Sequence, residues 1–385
     1  MKMEMQMATT SAFFGTALIV LVLWEGFETI VLPRRVTRRF RLTRLYYRRT
    51  WRLWLVMVRH FLPARQRETW LSFYGPLSLI FLLCLWAGGL ISGFALLHWA
   101  IGSPLVTHDG SAGFLTDLYL SGTTFFTLGL GDVIPHSNLA RLLVVVESGM
   151  GFAFLALVIG YLPALNQTFA RREVSISLLD ARAGSPPTAS EMLRRHSSDH
   201  AMEALRLLLH EWERWSAEFF EGHLSYPVLA YFRSQHDNQS WLAALTAILD
   251  TCTLVMVGLE GACARQAELT FAMARHAVVD LSIIFQREQR ESKHDRLPPA
   301  ELAALRSAMK DAGLKLSEGE AADRKLAELR GTYEPNIISL AAFFNVSVPP
   351  WLAAEGRTDN WQASAWGRRS PKLKIGAEIA RKDHF

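Results

Sequence analysis

Three apolar stretches decide what this chain can fold into. Residues 12–32, 71–100 and 139–165 are dominated by Leu, Val, Ile, Phe, Ala and Gly. Each reaches the ~20 residues that a helix needs to cross a bilayer. A fourth stretch, residues 113–126, is too short to span and fits a re-entrant helix, which is tolerated at membrane depth only where protein surrounds it. The expected fold is an all-α membrane protein: one extra transmembrane helix, then outer helix, re-entrant loop and inner helix, then a helical cytoplasmic domain. A cleaved leader is not expected, because the first stretch lacks a basic start and a small-residue cleavage site, and Glu25 and Glu28 interrupt its end.

Charge gives the orientation. Residues 33–69 hold twelve arginines and a single acid, Glu68. That bias places the segment on the cytoplasmic side. The first helix then runs inward, the outer helix leaves the cytoplasm and the inner helix returns to it, with Arg171 and Arg172 just beyond. Arg35, Arg38, Arg41 and Arg44 repeat every three residues, as in a voltage sensor, but only one helix precedes them and the intervening pairs are not apolar. A basic amphipathic helix on anionic headgroups is the favoured reading, with Tyr46, Tyr47, Trp51 and Trp54 at the interface. Glu25 and Glu28 fit pairing with Arg34 or Arg35, or snorkelling to the inner headgroups. The basic pI follows from these arginines, and no nucleic-acid motif appears.

Between the second and third stretches lies Thr127, Leu128, Gly129, Leu130, Gly131, Asp132. Monovalent cations shed water only where oxygens replace it, and a narrow ring of backbone carbonyls can do so. Aiming successive carbonyls at one axis needs left-handed residues in alternation, which Gly129 and Gly131 permit. This run, with the Tyr119, Thr123, Thr124 and Phe126 segment before it, resembles the pore loop of the potassium-channel family and its Thr-x-Gly-x-Gly-Asp filter. The resemblance covers residues 71–165. It implies potassium ions held at Thr127, Leu128, Gly129 and Leu130, no other cofactor, and a homotetramer closing the ring. Two positions depart: Leu130 stands where the family usually has Tyr or Phe, and Phe126 where it usually has a second Thr. Leu130 packs but cannot hydrogen-bond, which loosens the expected potassium selectivity.

On the inner helix the resemblance implies a gating bend at a glycine, Gly151 or its neighbour Gly149, with close helix packing as the alternative. Glu147, one turn earlier, is expected behind the filter. Gly160 and Pro163 mark an expected kink. His136 follows the filter at the outer mouth and is a candidate acid sensor, because histidine is the side chain whose charge changes near neutrality, although a simply solvated loop histidine is the favoured reading.

The expected domain limits are 1–69 for the N-terminal helix and Arg-rich segment, 70–172 for the pore domain, 173–190 for a linker, 191–349 for a helical cytoplasmic domain, and 350–385 for a tail. The linker rests on Gly184, Ser185, Pro186, Pro187 and Thr188. Beyond it, helical periodicity covers 190–221, 241–259, 262–285, 299–312 and 318–330. Residues 241–259 approach membrane apolarity, but Asp250 argues for a soluble core helix, with Asp250 or Asp280 pairing Arg275. The polar cluster 233–239 reads as a turn capped by Asp237 or Asn238, or as a small-ligand site. His196 and His200 have a metal-compatible spacing without a fixed third ligand, so a solvated helix face is favoured. No nucleophile elbow or phosphate loop appears, so no enzyme is expected.

The function these features indicate is a tetrameric, potassium-conducting cation channel of the bacterial inner membrane, multi-pass, with a cytoplasmic C-terminal helical domain that regulates it. The alternatives are a weakly selective cation channel, or a non-conducting sensor that binds an unknown cytoplasmic ligand.

Overall fold

The computed structural model describes the chain except for residues 1, 33–40, 104, 108–112, 198, 236–237, 259–261, 286–294 and 355–385, together with the side chains at 2, 4, 199–201 and 262. Arg35, Arg38, Asp237, the side chain of His200 and most of the expected tail thus lie outside the described residues. The chain divides into two units: Met1–Gln167 with Leu224–Phe232, and Thr168–His223 with Arg233–Phe385.

The first unit begins with α1 (Lys2–Gly26), which continues through a π-helical turn (Phe27–Val31). Then come α2 (Leu42–Phe61), α3 (Ala64–Ala100), β1 (Leu105–Thr107), α4 (Phe114–Phe125), β2 (Val133–Pro135) and the first part of α5 (Asn138–Ala183). Met5–Val31, Ala64–Ala100 and Asn138–Ala183 are long and apolar enough to cross a membrane. The protein is an all-α membrane protein. At 1.5 Å per residue the 37 residues of α3 reach roughly 55 Å and the 46 of α5 roughly 70 Å. Both outrun a hydrocarbon core of ~30 Å, so their polar ends stay helical outside it. Pro163 lies inside α5 without ending it.

Glycines set the crossing of α1 and α3. A Cβ on Gly15 would stand 2.7 Å from the Gly93 carbonyl oxygen, and one on Gly93 would stand 2.6 Å from Ile19 Cγ1. Gly89, one turn before Gly93, meets Val22 in the same way. Small residues four apart let apolar helices approach where no hydrophobic force drives them together. The core formed there contains Ile19, Ala87, Leu90, Phe94 and Phe125, so α1 shares packing with the end of α4.

The basic helix α2 is docked against protein on one face. Thr43, Tyr47, Trp51 and Val58 are buried along one stripe. Trp51 and Tyr74 of α3 meet edge to face at 4.8 Å, and Tyr231 of the 3-10 turn Pro227–Tyr231 stacks on Tyr47 at 5.5 Å. Tyr46 donates to the Ser78 carbonyl at 2.7 Å. This corrects the expectation that these aromatics sit among headgroups: Tyr47 packs on Tyr231 and Trp51 on Tyr74 of α3 instead. Leu53, Val56 and Phe61 are exposed on the rest of the helix, as are Arg49, Arg52 and Arg59. Glu25 accepts from the Leu42 and Thr43 amides at 3.1 and 3.0 Å, satisfying donors at the start of α2. Glu28 lies 3.6 Å from Arg41 and accepts from Trp24.

In the second unit, the expected linker at 173–190 is largely helix and buried turn. α5 runs to Ala183, Gly184 takes a positive φ of 84° where a side chain would be strained, and Thr188 caps α6 (Ala189–Arg195) by accepting from the Glu191 amide. The single helix expected over 190–221 is two, α6 and α7 (Asp199–Ser225). His196 is therefore in the turn between them, buried rather than solvated, with Nδ1 at 2.8 Å from the Met192 carbonyl. Among the described residues no three His, Cys, Asp or Glu side chains converge as a metal site.

α8 (Trp241–Gly258) is apolar enough to span a membrane, yet it is buried along most of its length against α6, α9 (Ala262–Ile284), α11 (Glu320–Gly331) and α12 (Glu334–Phe344). Ser240, not Asn238, caps it by accepting from the Ala243 amide at 3.0 Å. The buried Asp250 pairs with Arg296, not Arg275, at 2.7 Å, and also accepts from Tyr333 at 2.6 Å. α10 (Pro299–Asp311) completes the described helices of this unit.

Candidate pore loop

β1 and β2 form an antiparallel ribbon, Leu105 opposite Pro135, Val106 opposite Ile134 and Thr107 opposite Val133. The loop that starts after β1 and closes at β2 therefore enters and leaves side by side. Three-residue strands give no periodicity that a sequence could reveal. Within the loop, α4 ends in a tightening turn: the Thr127 amide donates to the Thr124 carbonyl at 2.9 Å and the Leu128 amide to the Thr123 carbonyl at 2.8 Å.

The backbone then alternates. Positive φ occurs at Thr127 (57°), Gly129 (54°) and Gly131 (79°), while Leu128 and Leu130 between them stay outside that region. Thr127 is β-branched, so its left-handed conformation is strained; such strain costs roughly 1–3 kcal/mol and persists only where the surroundings impose it. Residues 126–132 are exposed in the single chain, including the large side chains of Phe126, Leu128 and Leu130. Exposed apolar surface of this kind on a pore-like loop calls for a cover.

Tyr119 and Asp132 are brought together: the Tyr119 hydroxyl donates to Asp132 Oδ2 at 2.8 Å, and Asp132 Oδ1 accepts from the Val133 amide. The first helical turns of the loop are thus tied to its last residue. Thr124 is buried, and the Thr123 hydroxyl donates to the Leu120 carbonyl at 3.0 Å. His136 is exposed between β2 and α5, next to Pro135, whose carbonyl accepts from Arg141 Nε at 3.3 Å.

Behind the loop stands α5. A Cβ on Gly151 would lie 2.0 Å from the Phe125 carbonyl oxygen, so the missing side chain makes room for the end of α4. α5 is unbroken at Gly149 and Gly151, and a Cβ on Gly149 meets nothing. What the structure shows at Gly151 is close approach, the second of the two sequence readings. Three buried polar residues next to it carried no weight in the sequence reading: His98 at the end of α3, and Asp117 and Ser121 on α4. With Glu147 they are wholly inaccessible. A histidine inside a membrane-length apolar segment and an aspartate in the re-entrant helix were the available signal.

Residues 80–167, which contain the second half of α3, α4, the alternating loop and the first part of α5, match a family model described as an ion channel. The match supports an ion channel. A Bacillus subtilis (strain 168) protein described as uncharacterized membrane protein YdjJ is 23% identical over 197 residues, covering 49% of this chain and 55% of that protein. The chain thus spans about half the length of this curated relative. No solved structure matches it.

Proposed function

We propose that the protein is a homotetrameric cation channel that conducts potassium, with the carbonyls of Thr127, Leu128, Gly129 and Leu130 replacing the ion's hydration water. The observation that carries this is the alternation of positive φ at Thr127, Gly129 and Gly131 inside a segment that matches an ion-channel model. That alternation is the backbone condition for successive carbonyls to share one axis, and several bound ions repelling one another then drive exit. One chain supplies one loop, so a ring requires copies about an axis. Four copies would also cover the exposed Phe126, Leu128 and Leu130.

The membrane is the second partner. The exposed arginines and large apolar side chains of α2 suit a helix lying on anionic headgroups at the cytoplasmic surface, and a cytoplasmic second unit under a bacterial inner membrane fits that reading. Leu130 offers no hydrogen bond to the surroundings of the loop, and this favours a weakly selective pore as the second reading.

The test is potassium and sodium flux into liposomes holding the purified protein, with Gly129→Asp as control. Potassium flux well above sodium, abolished by the substitution, is the expected result. Comparable fluxes lost together would favour the weakly selective reading. Absence of flux from the full chain and from a variant lacking residues 173–385 would overturn conduction.

A further inference from the structure

Three elements meet behind the candidate filter, and each brings a buried polar side chain. Asp117, Ser121 and Phe125 are four apart on α4 and so lie on one face. Glu147 and Gly151 are likewise four apart on α5. Gly151 touches the Phe125 carbonyl, and one turn back along both helices the Ser121 hydroxyl faces the Glu147 carboxyl. His98, from α3, closes the group with Nε2 3.9 Å from Glu147 Oε2. Ser103 donates to Asp117 Oδ2 at 2.6 Å and extends the row.

All four side chains, His98, Asp117, Ser121 and Glu147, have no solvent exposure. Both ring nitrogens of His98, both carboxyl oxygens of Glu147, Oδ1 of Asp117 and Oγ of Ser121 have no hydrogen-bond partner. Burying polar atoms unsatisfied is costly. Replacing a pair of buried polar groups by apolar residues of similar volume can be neutral or stabilising. Stability therefore does not account for an imidazole and a carboxyl group at this place, while their location points to a use. The positions that would brace the loop from its own sequence, Phe126 and Leu130, are apolar and exposed.

We propose that His98 and Glu147 are positioning residues for the pore loop, holding α4 at Ser121 between α3 and α5 and thereby fixing the alternating backbone of residues 127–131. The selectivity part of this inference rests on the conduction reading above; the positional part does not. The pair acts as a polar registration mark: apolar side chains would pack there equally well in several settings, whereas these groups fit one another only when α4 is seated at one height.

The experiment uses the full-length protein in liposomes and in detergent, comparing wild type with the double variant His98→Leu/Glu147→Leu and with Glu147→Gln. Thermal unfolding, the potassium-to-sodium flux ratio and amide hydrogen exchange in residues 114–132 are read on each. The expected result is a double variant that melts no lower than wild type, exchanges faster over 114–132, and loses flux ratio by about tenfold. Glu147→Gln, which keeps the shape and a hydrogen-bonding head, retains most of both properties. Unchanged exchange in the double variant overturns the inference, as does a fall in melting temperature with an unchanged flux ratio. Should wild type carry no flux, the conduction reading fails, and exchange alone still decides whether the pair positions the loop.

Discussion

Two buried polar clusters, one in each unit, solve the same problem in opposite ways. In the second unit, Asp250 has both oxygens occupied, by Arg296 and by Tyr333. Arg296 in turn reaches Glu334 at 2.7 Å and the Pro349 carbonyl at 2.9 Å, with its guanidinium over the Trp351 ring. Burial works against the charge of Arg296, but Asp250, Tyr333 and Glu334 outweigh it and hold the guanidinium above its ordinary range. In the first unit, His98 and Glu147 are equally buried and have almost nothing to bond. A saturated cluster fastens helices that are distant in sequence. A starved one contributes little to stability and is informative about function for that reason.

The sharpest way to break this contrast is to remove one partner from each cluster. Arg296→Met leaves Asp250 buried without its cation, and a cost of about 3–5 kcal/mol is expected by thermal or denaturant unfolding. If Arg296→Met proves no more damaging than the double leucine variant at 98 and 147, the two clusters are energetically alike and the contrast is lost.

Gly151→Ala sharpens the comparison on the side of the first unit. Its Cβ would collide with backbone, not with a side-chain end that could swing away. An overpacking cost of about 1–3 kcal/mol is expected, read as a lower melting temperature together with loss of potassium flux. A variant with altered gating and unchanged stability would instead favour the hinge that the family resemblance implied.

His223 tests whether the second unit is saturated throughout. Its Nδ1 donates to the Phe219 carbonyl at 2.7 Å, while Nε2 has no partner. Burial, with Arg172 nearby, pushes the imidazole down from 6.5 to about 3. The unfolded chain takes up that proton near the ordinary value, so the stabilisation is complete above pH 6.5 and declines as pH falls toward 3. The slope is at most ~1.4 kcal/mol per pH unit. Melting temperature measured across that range should fall less steeply for His223→Gln than for wild type; parallel curves would remove His223 from the account.

The smallest expected effect is at Tyr119→Phe, which deletes the exposed bond to Asp132. A loss of about 0.5–1.5 kcal/mol is the usual scale. It should appear as faster amide exchange at 132–133 with little change in melting temperature. A larger effect than at Glu147 would move the control of loop geometry from its buried side to its exposed side.

How much of this was legible in the sequence depends on the range over which each feature is specified. The membrane helices were, because a bilayer demands long uninterrupted apolar runs. Their ends were not: α3 begins among Ala64, Arg65 and Gln66 and α5 continues past Leu165 through polar residues, where hydropathy carries no signal though the helix persists. The alternation at Thr127, Gly129 and Gly131 was anticipated at the two glycines, since only they enter that region without strain. The pairing of Asp250 with Arg296 joins residues 46 apart. The meeting of His98 with Glu147 depends on how three helices seat against each other. Neither follows from local pattern, and for the same reason the aromatic face of α2 was assigned to lipid when it packs on Tyr74 and Tyr231.

The glycine crossing of α1 and α3 has a consequence for how the chain is made. Gly15 leaves the ribosome 78 residues before Gly93. At 5–20 residues per second that is an interval of roughly 4–16 s. During it the notched face of α1 rests against lipid tails, an unmet surface in a bilayer crowded with other nascent helices. A newborn α1 is thus open to capture by a sister chain until its own α3 arrives, and the tempo of synthesis through residues 33–69 sets how long that window stays open.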